Sequence, residues 1–231
     1  MSEPPPTTLV CHSLPPAERN PAVLAAFDRL AAYESFHLAS DHSQAPLLAL
    51  LRQERPGLFE WCPFEEGPPL WRTEIVRRPA ALALREVSEA LSWDHDRLDL
   101  LEEAAQAARD AGQPERAAEL FHRFTAGLRR HQDCEGAILF PEFDRLCGLQ
   151  PDDGPTAILR LEHRRIEGLL GKLERSAGAS AETFEPLRRE LRHLLGLHHG
   201  KEEQLIFPTL DRLLPPEGRD ELVYRVQAYR R

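Results

Sequence analysis

The feature that most constrains this chain is a pattern written twice in its C-terminal half. The first copy reads "DHDRLDLL" at Asp94–Leu101 and "HQDCEGAILFPEFDRL" at His131–Leu146. The second reads "EHRRIEGLL" at Glu162–Leu170 and "HHGKEEQLIFPTLDRL" at His198–Leu213. His95 and His163 are 68 residues apart; His131 and His198, like Glu135 and Glu202, are 67 apart. The repeated unit is thus a segment with one histidine, followed by a segment with His-x-x-x-Glu and a Phe-Pro. These motifs sit in four long amphipathic segments, roughly 80–110, 114–147, 155–177 and 182–214. The breakers "AGQP", "CGLQPDDGP" and "SAGASA" separate them. Helices of that length run about 35–50 Å at about 1.5 Å per residue. Four of them with short connections predict an all-α, up-down-up-down four-helix bundle.

The spacing carries chemistry. Positions i and i+4 of a helix differ by about 40° in azimuth and about 6 Å along the axis. His131 and Glu135 therefore point the same way, as do His198 and Glu202. A single such pair is ordinarily a surface contact worth about 0.2–0.5 kcal/mol. Here the flanks argue otherwise, because Ile138, Leu139 and Phe140 follow one pair and Leu205, Ile206 and Phe207 follow the other. Six ionisable groups among apolar neighbours are very costly unless a metal or a full hydrogen-bond network holds them. His95, His131, Glu135, His163, His198 and Glu202 are the expected metal ligands, aimed at the bundle axis.

Other polar residues fall outside this set. His122 lies nine residues before His131, half a turn away, and His193 and His199 lie off the His198 stripe. All three read as surface residues or as outer partners of the ligands. A register pairing His199 with Glu203 is rejected by the Phe-Pro marker: Phe140 is nine residues after His131, and Phe207 is nine after His198. Cys134 reads as a packed thiol beside Glu135.

The pattern resembles the hemerythrin HHE cation-binding family over about residues 80–214. "HQDCEGAILFP" and "HHGKEEQLIFP" look like its two hallmark helices, and "DH" at Asp94–His95 and "EH" at Glu162–His163 like the other two. The resemblance implies two iron ions, carboxylate-bridged and oxo- or hydroxo-bridged, that bind O2, NO or related small ligands. Oxygen carriers of the family have a fifth histidine four residues after the one on the third helix; this chain has Glu167 there. The four-His, two-Glu set is more similar to di-iron proteins that repair iron centres under nitrosative stress. Asp99 holds the matching place after His95, so Asp99 and Glu167 are read as extra ligands or as outer partners of the imidazoles. The expected role is to bind, sense or detoxify O2 or NO, or to help repair iron centres. The alternatives are a peroxidase- or ferroxidase-type enzyme and a redox-sensing regulatory module whose output is the N-terminal domain.

Residues 1–78 have a different texture. "TTLVCHS" and "SFHLASDH" read as strands, "AERNPAVLAAFDRLAA" and "PLLALLRQE" as helices, and "GLFEWCPFEEG" and "PLWRTEIVRR" as two further strands. The order β-α-β-α-β-β predicts an α+β two-layer sandwich. This part resembles a small family of unknown function with the sulfur-carrier (TusA/SirA-like) fold. Sulfur carriers place a reactive cysteine at the start of the first helix; here Pro16 stands there, and Cys11 falls inside the first strand as a buried thiol. Sulfur transfer is therefore not expected. His42, Arg19 and Glu66 lie at turn positions, where they read as a small polar site or as turn and capping residues. A protein partner docking through this domain is a further expectation. Residues 215–231 read as a tail with a short helix, Leu222, Val223 and Val226 packing on the bundle.

Composition bounds the partners. The net charge is −9 with no long basic run, which disfavours nucleic acid and anionic membranes. No apolar stretch approaches the roughly 20 residues of a spanning helix. The N-terminus lacks the basic and apolar regions of a signal peptide. The four cysteines form no CxxC pair. A cytoplasmic location is expected, with the thiols reduced and buried.

Overall fold

A computed structural model describes residues 7–78, 86–176 and 181–229. The chain divides into two compact units, Met1–Arg85 and Glu86–Tyr229. The stretch before Glu86 in the first predicted bundle segment, and the loop 177–180, lie outside the described residues.

The first unit is a four-stranded mixed sheet with two helices. Strands β1 (Thr8–Val10), β2 (Ser35–Ser40), β3 (Phe59–Glu65) and β4 (Trp71–Arg77) lie in the order β1-β2-β4-β3. β1 runs parallel to β2, and the other pairings are antiparallel. Helices α1 (Pro16–Asp28) and α2 (Ala45–Glu54) pack against each other, and α1 against β2. Alternation along the strands gives the helix side Phe36, Leu38, Phe59, Trp61 and Ile75, all buried. Phe27 of α1 meets Phe59 edge-on at 6.3 Å. The predicted element order is found. One boundary differs: Cys11 lies past the end of β1, in a 3-10 turn at Cys11–Ser13, and is buried there.

The second unit is helical. α3 (Val87–Asp110) turns at Gly112 into α4 (Pro114–Cys134), which runs through a widened turn at Glu135–Leu139 into α5 (Phe140–Cys147). α6 (Gly154–Arg175) precedes α7 (Ala181–Lys201), which runs through a second widened turn at Glu202–Ile206 into α8 (Phe207–Leu213). α9 (Pro216–Ala228) follows. Two of the turns close alike. Gly112 and Gly148 take φ values of 69° and 67°, which glycine adopts without steric cost, and the next residues, Gln113 and Leu149, donate to Ala108 and Asp144.

The repeated "DRL" also has a structural meaning. Asp211 of α8 accepts from the backbone N–H groups of Val87 and Ser88, capping the start of α3 at 2.6 and 3.1 Å. Its counterpart Asp144 of α5 accepts from Thr156 and Arg160 in the first turns of α6. A carboxylate at a helix N-terminus satisfies orphan donors and meets the positive end of the dipole.

Two apolar layers fill the bundle. One contains Leu98, Phe124, Leu128, Ile166, Leu170 and Leu195. The other contains Leu91, Ile138, Phe140, Leu159, Ile206 and Phe207, together with Leu222 of α9. On every bundle helix the motif histidine lies between a residue of one layer and a residue of the other: His95 between Leu91 and Leu98, and His163 between Leu159 and Ile166.

Candidate metal centre

The polar cluster between these layers is built from two facing imidazole pairs. His95 on α3 and His131 on α4 approach with Nε2 atoms 3.0 Å apart. His163 on α6 and His198 on α7 do the same, also at 3.0 Å. Glu135 places Oε1 3.1 Å from His131 and Oε2 3.2 Å from His163. Glu202 places Oε1 3.1 Å from His198 and Oε2 3.5 Å from His95. Each carboxylate therefore offers one oxygen to each imidazole pair.

Two overlapping donor groups result: His95, His131, Glu135 and Glu202, and Glu135, His163, His198 and Glu202. Within each, one ligand atom per residue lies within 4.8 Å of all the others. The side chains of Glu135 and Glu202 are fully buried, and none of their four oxygens has a hydrogen-bond partner. An unneutralised buried carboxylate costs several kcal/mol. Converging lone pairs of this kind are what a cation satisfies, so the residues fit a metal.

The helices widen where the carboxylates emerge. Phe140 N–H bonds to Glu135 C=O, and Phe207 N–H to Glu202 C=O, each one residue longer than an α-helical bond. Pro141 and Pro208 follow directly. Proline provides no N–H for the next turn, and its ring crowds the carbonyl four residues back. A wider turn relieves that crowding. Periodicity alone predicts regular helices here, and the two prolines mark where the turn widens. The Phe-Pro phenylalanines also wall the cluster, with Phe207 5.6 Å from the His95 ring and Phe140 5.3 Å from the His163 ring.

Outside the pairs lies a ring of carboxylates. His131 Nδ1 donates to Asp94 at 2.9 Å and His198 Nδ1 to Glu162 at 3.0 Å. Asp94 is held in turn by Arg97, and Glu162 by Lys201. His95 Nδ1 donates to Glu203 at 2.8 Å. The acidic residue just before His95 and before His163 thus orients the histidine of the next helix.

These contacts set the titration of the metal-free cluster. Burial pulls the His131 pKa down, but Glu135 and the bond to Asp94 outweigh it and hold it well above the ordinary value. His95 and His198 are raised too: burial opposes, and the Glu202 carboxylate close to both outweighs it, aided by Glu203 and Glu162. Burial pushes Glu135 up, yet His131 and His163 outweigh it and keep it well below the carboxylate range.

The remaining sequence candidates separate. Asp99 is exposed on α3, and Glu167 is exposed and paired with Arg129 at 2.9 Å; neither belongs to the two donor groups. The Glu167 carboxylate is drawn away by a cation that α4 presents. His122 and His193 are exposed. His199 is not at the surface: it is buried, and its ring lies flat on His95 with centroids 3.6 Å apart and planes 7° apart. Burial and the neighbouring His95 and His131 hold its pKa below the ordinary value. Cys134 is buried, its Sγ 3.7 Å from Val226 C=O, and burial pushes its thiol up to about 12. Cys147, by contrast, is exposed. In the first unit, Arg19 bonds to Leu14 C=O, His42 to Asp41, and Glu66 is exposed; no hydrogen bond or ion pair among the described residues joins the three.

Residues 87–210 match the model of the hemerythrin HHE cation-binding domain. The chain belongs to that family. All six clustered residues fall inside the hemerythrin domain match, which makes this a cation-binding protein. Residues 10–77 match a second family, described as an uncharacterized conserved protein (DUF2249). No curated protein and no solved structure matches the chain. No helix among the described residues is long and apolar enough to cross a membrane.

Proposed function

We propose that the hemerythrin domain holds two iron ions, one at each imidazole pair, with Glu135 and Glu202 bridging them, and binds O2 or NO there. The observation that carries this reading is the sharing of both carboxylates, each with one oxygen toward either histidine pair. Imidazole and carboxylate donors suit iron. Iron bound here would supply a reversible redox change and open coordination for a diatomic ligand.

The chain's own residues define what such a centre meets. Asp94, Glu162 and Glu203 fix the tautomer and aim of three imidazoles, leaving Nε2 free of a proton for the metal. Phe140, Phe207 and the two leucine-rich layers keep water from the pairs. Asp99 and Glu167 stay outside, so the place of a fifth histidine is left open. A cytoplasmic setting and a role in sensing, detoxification or repair of iron centres follow from this reading.

The test is anaerobic loading of the full chain with Fe(II), followed by titration with NO and electronic spectroscopy. Two irons per chain and a saturating stoichiometry near two NO are expected. One iron per chain, or no NO binding, overturns the reading.

A further inference from the structure

The repeat makes the two metal positions comparable residue by residue, and they are not the same. Three of the four motif histidines donate their outer nitrogen to a carboxylate: His131 to Asp94, His198 to Glu162 and His95 to Glu203. By the 67-residue offset, the counterpart of Glu203 is Gly136. His163, which Glu203's counterpart would hold, has no hydrogen-bond partner for Nδ1 among the described residues. Its side chain is 13% exposed, against 3% for His95. A Cβ placed on Gly136 would meet nothing within 4 Å, so the gap is open. The stacking differs as well. His199 lies flat on His95, while its counterpart in the first copy is Gln132. The phenylalanine contacts do not distinguish the positions, since Phe207 flanks His95 as Phe140 flanks His163.

We infer that the two metal positions differ in hold, and that the His163/His198 position is the exchangeable one because Gly136 leaves His163 without its outer carboxylate. The inference rests on the two-metal reading above. An outer carboxylate orients an imidazole and raises its basicity, and its loss typically costs 10–100-fold in metal affinity. Glu203 and Gly136 act through the histidines, so they are positioning residues. Position 136 tolerates a side chain: the space is open and its backbone is not left-handed.

The experiment uses the full chain loaded anaerobically with Fe(II) and then challenged with excess chelator. The unaltered protein should release its iron in two phases of one ion each. Gly136→Glu should slow the fast phase by about 10–100-fold and leave the slow phase alone. Glu203→Gly should speed the slow phase by a similar factor, and Glu203→Gln, which keeps an acceptor oxygen, should restore part of it. A merely structural effect would move both phases together. Two ions leaving in one phase, or a fast phase unchanged by Gly136→Glu, overturns the inference alone. Loading that stops short of two ions overturns the two-metal reading and the inference with it.

Discussion

Metal uptake by this cluster should expel protons, and the geometry says how many. Two Nε2 atoms facing at 3.0 Å hold one proton between them, not two. The outer nitrogens of His131, His95 and His198 are already committed to carboxylates as donors. The His95/His131 pair, with both outer nitrogens donating, therefore carries one excess proton when metal-free, about one per chain; the His163/His198 pair, where only His198 donates outward, needs none. The raised pKa of His95 and His131 means that proton stays bound above the free-imidazole value of about 6.5. The ion at the His95/His131 pair replaces about one proton, so its apparent affinity should rise about tenfold, or about 1.4 kcal/mol, per pH unit. That slope should continue past about pH 6.5, where ordinary histidine ligands level off. Stability of the metal-free chain runs the other way. A folded pKa raised above the unfolded one contributes stability that is complete below about pH 6.5 and lost as pH rises through the folded value. The lowered Glu135 contributes above the unfolded carboxylate pKa, and that contribution is lost as pH falls through its folded value. The metal-free melting temperature should thus decline as pH rises above about 6.5, while the loaded protein holds. Fe(II) addition to a weakly buffered, anaerobic sample with a pH indicator counts the protons directly. Release below about half a proton per chain at pH 7, or an affinity flat above about pH 6.5, would refute the shared-proton argument.

Two further outcomes test the frame around the cluster. Phe124 is fully buried in the apolar layer away from the carboxylates, so Phe124→Ala should cost about 3–5 kcal/mol in denaturant unfolding with metal stoichiometry kept; a loss under about 1 kcal/mol would show that this layer is not tightly packed. Glu202→Ala removes a donor from both groups and should lose more than one ion per chain by metal analysis, whereas His95→Ala touches one group and should retain the second ion; an identical loss of one ion in both variants argues against bridging.

The donor set was legible because its geometry is local. His131–Glu135 and His198–Glu202 are i,i+4 pairs, and helix periodicity alone aims each at one point. The first unit was legible for the same reason, since its strands are short apolar runs bounded by turn residues. What escaped depends on contacts between distant segments. The capping of α3 by Asp211 spans more than a hundred residues, and the sequence shows only a repeated "DRL". The outer carboxylates were in plain view as "DH" and "EH", but their partners sit on the next helix. Glu167 was placed correctly on α6, yet Arg129 on α4 decides which way it faces.

His199, read as a surface residue or an outer partner of the ligands, takes the second place. It follows His198 by one residue, about 100° around the helix, and that offset suggested a place away from the bundle axis. In a four-helix bundle, however, a helix touches neighbours on both sides of the axis direction, so a residue about 100° from the axis lies in a seam between helices. Gln132, at the same offset from His131 in the first copy, tests this: both residues are 7% exposed. The position is therefore buried by construction in either copy, and what varies is the chemistry placed there. An imidazole in the seam stacks on His95; an amide in the other seam cannot do the same for His163. The duplicated spacing repeats the donor residues, and the residues one step off the donor stripe differ between the two copies.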